Sequence, residues 1–207
     1  RHTGRSTFPR EMEGQPVGAY LLITLDSDSE DQLYTLLEQA AELVLDAGAM
    51  DVLVADSPAK MRDAWAARSA FLEVIMEETK LLDECDVVVP VTKIASYLEF
   101  VNKTGEECGL VIRSFGHAGD GNLHIYECSN DLTEEEFKKR VDKFFDLIYK
   151  EASAQGGLVS GEHGIGSGKI QYLVESIGET NMALMEGIKR VFDPKMILNP
   201  GKVCYRL

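Results

Sequence analysis

The sequence predicts a single α+β domain in which helices cover an antiparallel or mixed sheet with ferredoxin-like elements. Of its 207 residues, 44% are hydrophobic and 27% are charged, which fits a globular unit that buries one sizeable core or two small ones. Predicted strands and helices alternate along the chain without an internal repeat or a low-complexity linker. The last two predicted strands are joined by a tight Gly-Asp-Gly turn, and such a turn connects antiparallel neighbours.

The first part of the chain is predicted to hold two strands and two helices. An apolar, β-branched run predicts a strand over 17–25. A capping box over 29–32 begins a helix whose apolar residues recur at helical spacing until Gly48 ends it. A short strand is predicted over 52–55, and Pro58 stands at the first position of the next helix.

The remainder of the chain is predicted to form the sheet and its helical cover. The strands are short and rich in valine and isoleucine, and the helices show apolar residues at helical spacing. In chain order we predict a strand over 86–90, a helix over 94–105, strands over 109–115 and 122–127, and helices over 133–148 and 178–192.

Charge and hydropathy exclude several classes of function. Acidic residues outnumber basic ones by 35 to 21, the formal net charge is −14, and no basic cluster could neutralise a phosphate backbone. We therefore predict no nucleic-acid partner. The longest apolar runs, such as 19–25, are too short to span a bilayer. Four scattered cysteines without a Cys-x-x-Cys pair favour a reducing compartment, so we predict a cytoplasmic protein, with peripheral attachment at the inner face of a membrane left open.

Chemistry-bearing residues are concentrated in two glycine-rich segments, 116–124 and 160–166, which hold three of the four histidines. The tight hairpin predicts that His117 and His124 meet across its mouth, with Glu162 as a candidate third ligand. Two histidines and one carboxylate leave coordination positions open for water or substrate, which suits Zn²⁺, Mn²⁺ or Fe²⁺ in a catalytic role. The alternative is that each histidine only hydrogen-bonds a carbonyl of its turn.

The neighbouring residues Glu162 and His163 are expected to divide two tasks. Adjacent side chains bind one metal from one face only with awkward backbone geometry. We therefore expect Glu162 to bind the metal and His163 to move a proton, since histidine titrates near neutral pH. The glycines around them allow the backbone to approach a ligand closely.

A further candidate is Arg68, which shares a predicted helix face with the apolar side chains of Trp65 and Leu72. Arginine is a bidentate donor that suits a carboxylate. Two interpretations are open: Arg68 binds the carboxylate of a substrate, or it pairs with an internal acid such as Glu73 or Asp86.

Three strings along the chain resemble the C-terminal domain of the FAD-linked oxidases: GHAGDGNLH, SGEHGIGSGK and FDPKMILNPGKV. The strings WAARSAF, around Arg68, and DVVVPVTKIASYL, around Pro90, also occur in the order of that family, so the resemblance covers most of the chain. The family includes D-lactate dehydrogenase, the large subunit of glycolate oxidase and D-2-hydroxyglutarate dehydrogenase.

The resemblance implies that residues 1–207 form a domain that covers a flavin and supplies the substrate pocket. It also implies that FAD is bound mainly by an N-terminal domain absent from this chain, so that the chain is a fragment or needs a partner subunit. The site residues that it implies are the metal ligands His117, His124 and Glu162, the acid/base His163, the carboxylate clamp Arg68 and the flavin neighbour Asn199.

The reaction implied is the oxidation of a 2-hydroxy acid to a 2-oxo acid. In the hydroxyglutarate branch a lysine lies just before the strand that resembles 86–90, and an asparagine follows the second hairpin histidine by two residues. Here Glu84 and Tyr126 stand at those positions, which leaves lactate, glycolate or another 2-hydroxy acid open. Two other classes also stay open: a flavin-independent metal-dependent hydrolase or oxygenase that uses the same residues, and a non-catalytic metal-binding module.

Overall fold

A computed structural model of the chain describes Pro9 and residues 11–204. The chain divides into two compact units, Arg1–Val74 and Ile75–Leu207, and the division falls inside the third helix. The α+β class and the antiparallel sheet covered by helices are confirmed.

The first unit is mainly helical. Local capping positions its helices: the hydroxyl of Ser29 accepts the N–H of Gln32, and the hydroxyl of Ser57 accepts the N–H of Lys60. Its elements are the two-residue strands β1 (Glu11–Met12) and β2 (Gln15–Pro16), which pair antiparallel, followed by α1 (Glu30–Asp46), α2 (Pro58–Ser69) and the first part of α3 (Phe71–Glu78).

The two strands predicted over 17–25 and 52–55 are wrong. Both segments lack regular secondary structure, and Leu21 and Leu53 within them are more than half exposed. An apolar, β-branched composition suits a strand only when a neighbouring strand pairs with its N–H and C=O groups. No such neighbour lies beside either segment in the part of the chain that the structure describes.

The second unit contains a three-stranded antiparallel sheet and three further helices. Its strands are ordered β3-β5-β4, so the hairpin strand β5 lies in the centre. In chain order the elements are β3 (Leu81–Val88), α4 (Ile94–Cys108), β4 (Val111–His117), β5 (Asn122–Ser129), α5 (Glu134–Ala154) and α6 (Ile170–Phe192), with non-helical backbone inside α6 at Gly178.

The helices α4 and α5 pack on one face of this sheet and form the core. Side chains alternate between the faces of a strand, so Cys85, Val87, Leu123 and Ile125 point to the helices and are buried with apolar residues of α4 and α5. The strand-helix-strand-strand-helix order supplies ferredoxin-like elements. A single bridge between Val88 and Leu158 brings the chain after α5 to the outer edge of β3.

One buried acid lies on the helix-covered face. The side chain of Glu127 is fully buried, and neither carboxylate oxygen has a hydrogen-bond partner among the described residues. Burial first, and the charge of Asp83 next, raise the pKa of Glu127 well above its ordinary value of 4.5. The neutral acid is therefore the form that the core accommodates, and we assign it no role in the site on the opposite face.

Candidate functional site

The residues singled out in the sheet lie on the face opposite α4 and α5. Directly paired residues of neighbouring strands share a face, and β5 pairs with both β3 and β4. Asp86 and Phe115 both pair with His124, while Glu84 pairs with Tyr126. The strand register therefore gathers an aspartate, a glutamate, a histidine and two aromatic side chains on one surface.

The hairpin brings its two histidines together, as the sequence predicts. Gly121 closes the turn with a φ of 73°, in the left-handed region that favours glycine, and an added Cβ would collide with the carbonyl oxygen of Val89. The rings of His117 and His124 then lie 5.9 Å apart between centroids, almost perpendicular to one another. His124 is buried and His117 is half exposed.

The loop 160–163 is held against the sheet by one carboxylate. Oδ2 of Asp86 accepts the hydroxyl of Ser160 at 2.7 Å and the N–H groups of residues 161, 162 and 163 at 3.0, 3.1 and 2.9 Å. Ser160 in turn accepts the N–H of Gly164 at 2.9 Å. This arrangement carries Glu162 and His163 to the histidines of the hairpin, across more than 70 residues of sequence.

Asp86 is fully buried, yet the groups around it favour its ionised form. Burial alone would raise its pKa, but the N–H of His163, the hydroxyl of Ser160, the N–H of Glu162 and the charge of Lys169 together hold the pKa below its ordinary value of 3.8. Sequence reasoning considered Asp86 only as a partner of Arg68 and missed this role. The available signal was an acid inside the apolar strand DVVVP.

The predicted metal ligands are brought together by these two loops. Oε1 of Glu162 lies 2.9 Å from Nε2 of His124 and 3.7 Å from Nε2 of His117. One ligand atom from each residue lies within 4.8 Å of the others, a spacing that a single cation could bridge. Burial, and next the charge of His163, lower the pKa of His124, so its imidazole is neutral near pH 7 and keeps a lone pair for a metal.

His163 lies beside this cluster and not within it. Its ring stacks on that of His124, with centroids 4.8 Å apart and planes 23° apart. Its Nδ1 lies 3.3 Å from Oε1 of Glu84, a residue that the sequence marked only as a departure from the hydroxyglutarate branch. The side chain of His163 is 42% exposed, so a substrate could reach it.

A cavity of about 350 Å³ adjoins the cluster. Part of its wall is close-packed: a Cβ on Gly161 would lie 2.5 Å from Cγ of Asn122, so a larger residue there would displace the buried Asn122 side chain. The oxygen Oδ1 of Asn122 is buried without a hydrogen-bond partner among the described residues. This is space for a small polar molecule next to the candidate metal ligands. The cavity is lined by Val88, His117, Asp120, Asn122, Gly161 and Glu162.

The two remaining predicted site residues lie elsewhere in the chain. Arg68, near the end of α2 in the first unit, is partly buried, and its guanidinium stands 5.9 Å above the ring centre of Phe71. Asn199 is exposed, with a left-handed φ of 45°, in a turn that Asp193 anchors. The carboxylate of Asp193 accepts the N–H groups of residues 197 and 198. The substrate contact of Arg68 and the flavin contact of Asn199 stay predictions.

Within the described part of the chain, no helix combines the length and the apolar composition that crossing a bilayer requires.

Comparison with known proteins points to one family. The family model described as "FAD linked oxidases, C-terminal domain" matches residues 4–203. D-lactate dehydrogenase of Anaerostipes hadrus is 59% identical over 204 residues, which are 99% of this chain and 43% of that protein. D-lactate dehydrogenase of Archaeoglobus fulgidus is 37% identical over 91% of this chain and 40% of its own length. "Glycolate oxidase subunit GlcD" of Bacillus subtilis is 31% identical over 92% of this chain and 40% of its own length.

The chain thus spans less than half the length of these relatives, which carry a further region beyond the part that it matches.

Proposed function

Because this chain belongs to the family of C-terminal domains of FAD-linked oxidases, as its three characteristic strings suggested, we propose that it supplies the metal and substrate site of a flavin-dependent 2-hydroxy acid dehydrogenase. The observation that carries the proposal is the convergence of His117, His124 and Glu162, with His163 stacked at its side. Family membership favours this reaction over a flavin-independent hydrolase or oxygenase and over a non-catalytic metal-binding module.

We propose a small 2-hydroxy acid, of the D-lactate or glycolate type, as the substrate. The relatives of highest identity reported above carry the names of enzymes for these two acids. A cavity of about 350 Å³ beside the cluster is adequate for a molecule of this size. The cytoplasmic location stays part of this proposal, in keeping with four cysteines that are all buried and unbridged.

A divalent metal, Zn²⁺, Mn²⁺ or Fe²⁺, fits the residues present. The donors are two imidazoles and one carboxylate, a set that suits these divalent cations, and one ligand atom from each lies within 4.8 Å of the others. When bound, the metal supplies Lewis acidity that lowers the pKa of a substrate hydroxyl. His117, His124 and Glu162 would hold it.

FAD, when bound, supplies the two-electron acceptor for the oxidation. We propose that a domain outside this chain holds most of the flavin, either in the same polypeptide or in a partner subunit, and that Asn199 meets it. The exposed amide of Asn199 and its anchored left-handed turn support this assignment.

The residues of this chain then handle the proton and the orientation of the substrate. His163 takes the proton of the substrate hydroxyl on its ring, which the stacking on His124 holds at the edge of the ligand cluster. Arg68 binds the substrate carboxylate through its two-pronged guanidinium, which fixes both position and angle.

The experiment that tests the metal centre is elemental analysis of four variants. We expect His117→Ala, His124→Ala and Glu162→Ala each to lower the metal content at least tenfold after dialysis, because each removes one of only three ligands. His163→Ala should retain the metal, since His163 lies outside the ligand cluster. This variant is the matched control, because it removes a histidine that stacks directly on His124. Equal loss in all four variants would refute the separation of roles, and no loss in any would refute the centre itself.

A second expected result concerns Arg68. Lysine keeps the positive charge but loses the paired donors of the guanidinium. Losing one charged hydrogen bond costs roughly 1.5 to 3 kcal/mol, so Arg68→Lys should lower kcat/KM of the complete flavoprotein about 10- to 150-fold. Steady-state kinetics with D-lactate and glycolate measure it, and a thermal melt reports on the fold. An unchanged kcat/KM together with an unchanged melting temperature would favour the alternative, in which Arg68 is an internal ion-pair partner.

A further inference from the structure

We propose that Glu84 is a positioning residue for the candidate metal site. Its carboxylate holds the imidazoles of His124 and His163 through their Nδ1 atoms and leaves both Nε2 atoms available, one for the metal and one for the proton. The inference rests on the proposed function, because it assumes that His124 is a metal ligand and His163 the acid/base.

One oxygen of Glu84 faces both rings. Oε1 lies 3.5 Å from Nδ1 of His124 and 3.3 Å from Nδ1 of His163. The two rings are nearly parallel, at 23°, so their Nδ1 edges are presented to the same acceptor. A carboxylate at this edge favours hydrogen on Nδ1 of His163, and on Nδ1 of His124 once a metal binds its Nε2 in place of the contact with Glu162.

Glu84 is itself held in place from the sheet. The hydroxyl of Tyr126 donates to the same Oε1 at 3.0 Å. Glu84 and Tyr126 stand directly opposite one another on β3 and β5, so both side chains rise from rigid backbone on the same face. The side chain of Glu84 is 31% exposed, which makes it an accessible but oriented anion. The two positions that depart from the hydroxyglutarate branch are therefore one hydrogen-bonded pair.

The two nitrogens of the His124 ring have different surroundings, which shows why a positioning carboxylate is needed. Nε2 of His124 lies 2.9 Å from Glu162, toward the ligand cluster, whereas Nδ1 is buried and has no hydrogen-bond partner among the described residues. Glu84 is the carboxylate nearest to that nitrogen in the ion pairs of the site. Metal-binding histidines commonly donate their second N–H to a carboxylate, and a small closure of the 3.5 Å separation completes that bond.

The same three groups also satisfy the spacing of a second cation site, since one atom from each of Glu84, His124 and His163 lies within 4.8 Å of the others. We favour the positioning role because Nε2 of His124 is directed to Glu162 and the first site, so a second cation at Nδ1 would require one imidazole to bind two cations at once. A count of bound ions separates the two: a positioning residue alters the affinity of one ion, and a ligand to a second ion alters the stoichiometry.

Zinc binding is the first test. Competition with a chromophoric chelator measures the Kd and the number of Zn²⁺ ions for the purified wild-type protein, for Glu84→Gln and for a matched control, Asp83→Asn. Asp83 is the adjacent, exposed acid of β3, and alternation places it on the other face. We expect one ion per chain throughout, a Kd about 10- to 100-fold higher for Glu84→Gln, and a Kd within about twofold of wild type for Asp83→Asn.

Two results of this titration would overturn the proposal: equal affinities for Glu84→Gln and Asp83→Asn, or a fall from two ions to one in Glu84→Gln. Absence of zinc binding by the wild-type protein would instead refute the proposed metal centre. Failure of the metal centre can be distinguished from failure of the Glu84 proposal, because the next measurement uses no metal.

The tautomers of the metal-free protein are the second test. Long-range ¹H–¹⁵N spectra of protein labelled with [¹⁵N]histidine, assigned with single-histidine variants, report which ring nitrogen carries hydrogen. We expect His163 to carry it on Nδ1 in the wild-type protein, 3.3 Å from Oε1 of Glu84, and to shift toward Nε2 in Glu84→Ala, while His117 is unchanged. A wild-type spectrum with the hydrogen of His163 on Nε2 would overturn the assignment of Glu84.

Discussion

Replacing Asp86 by alanine is expected to lower the free energy of unfolding by about 3–5 kcal/mol and to abolish metal binding. The carboxylate is fully buried and accepts one hydroxyl and three backbone N–H groups from the loop 160–163. Its removal leaves those donors without their acceptor and removes the carboxylate 4.0 Å from the ammonium of Lys169, which keeps the backbone carbonyl of residue 86 as an acceptor. The loop that carries Glu162 and His163 then loses its attachment to the sheet.

Urea denaturation measures this effect, with Asp83→Ala as the control for loss of an exposed charge from the same strand. The pH dependence gives an independent check. The pKa of Asp86 is held below 3.8, so its stabilising contribution is present above that value and is lost as the pH falls through the pKa in the folded protein. Asp86→Asn should flatten this acid-side loss of stability. A variant that is as stable as Asp83→Ala and still binds metal would contradict the role of Asp86.

Replacing His163 by alanine is expected to lower kcat of the complete flavoprotein about 100- to 10,000-fold, the range for loss of a general base. The side chain is 42% exposed and lies outside the ligand cluster, so the variant should fold and retain its metal. Steady-state kinetics with D-lactate and glycolate measure the loss.

Two controls accompany the His163 variant. Metal content should equal that of the wild-type protein, which excludes an indirect effect through the ligands. Added imidazole should restore part of the rate, because it can occupy the space of the missing ring and accept the proton. A kcat within about threefold of wild type would remove His163 from the mechanism.

Elements with local signals were predictable from the sequence. The cap of α1 by Ser29 lies where the capping box places it. Helix α4 begins at Ile94 as predicted, but it continues past the predicted end at Gly105 to Cys108 and stops before Gly109, which adopts a left-handed backbone. The hairpin between β4 and β5 forms because its glycine-rich turn encodes a reversal within a few residues. In each case the interacting groups are separated by only a few positions.

The strands predicted over 17–25 and 52–55 failed for the opposite reason. A strand is stabilised by hydrogen bonds to a neighbour that can come from any part of the chain, and composition alone cannot say whether that neighbour exists. The same limit applies to β3, which begins at Leu81, earlier than the apolar run over 86–90 indicates, because pairing with β5 continues through its charged residues.

For the candidate site, the sequence by itself determined the family and the residue types: two histidines on one hairpin and an adjacent glutamate and histidine on a second glycine-rich loop. Only the tertiary structure decided how these groups are held. Asp86 accepts hydrogen bonds from residues more than 70 positions away, and Glu84 faces two imidazoles, one on β5 and one in the loop 160–163. Those contacts depend on the register of β3 against β5 and on the path of the loop 160–163, which bring groups distant in sequence within hydrogen-bonding range after the sheet has formed.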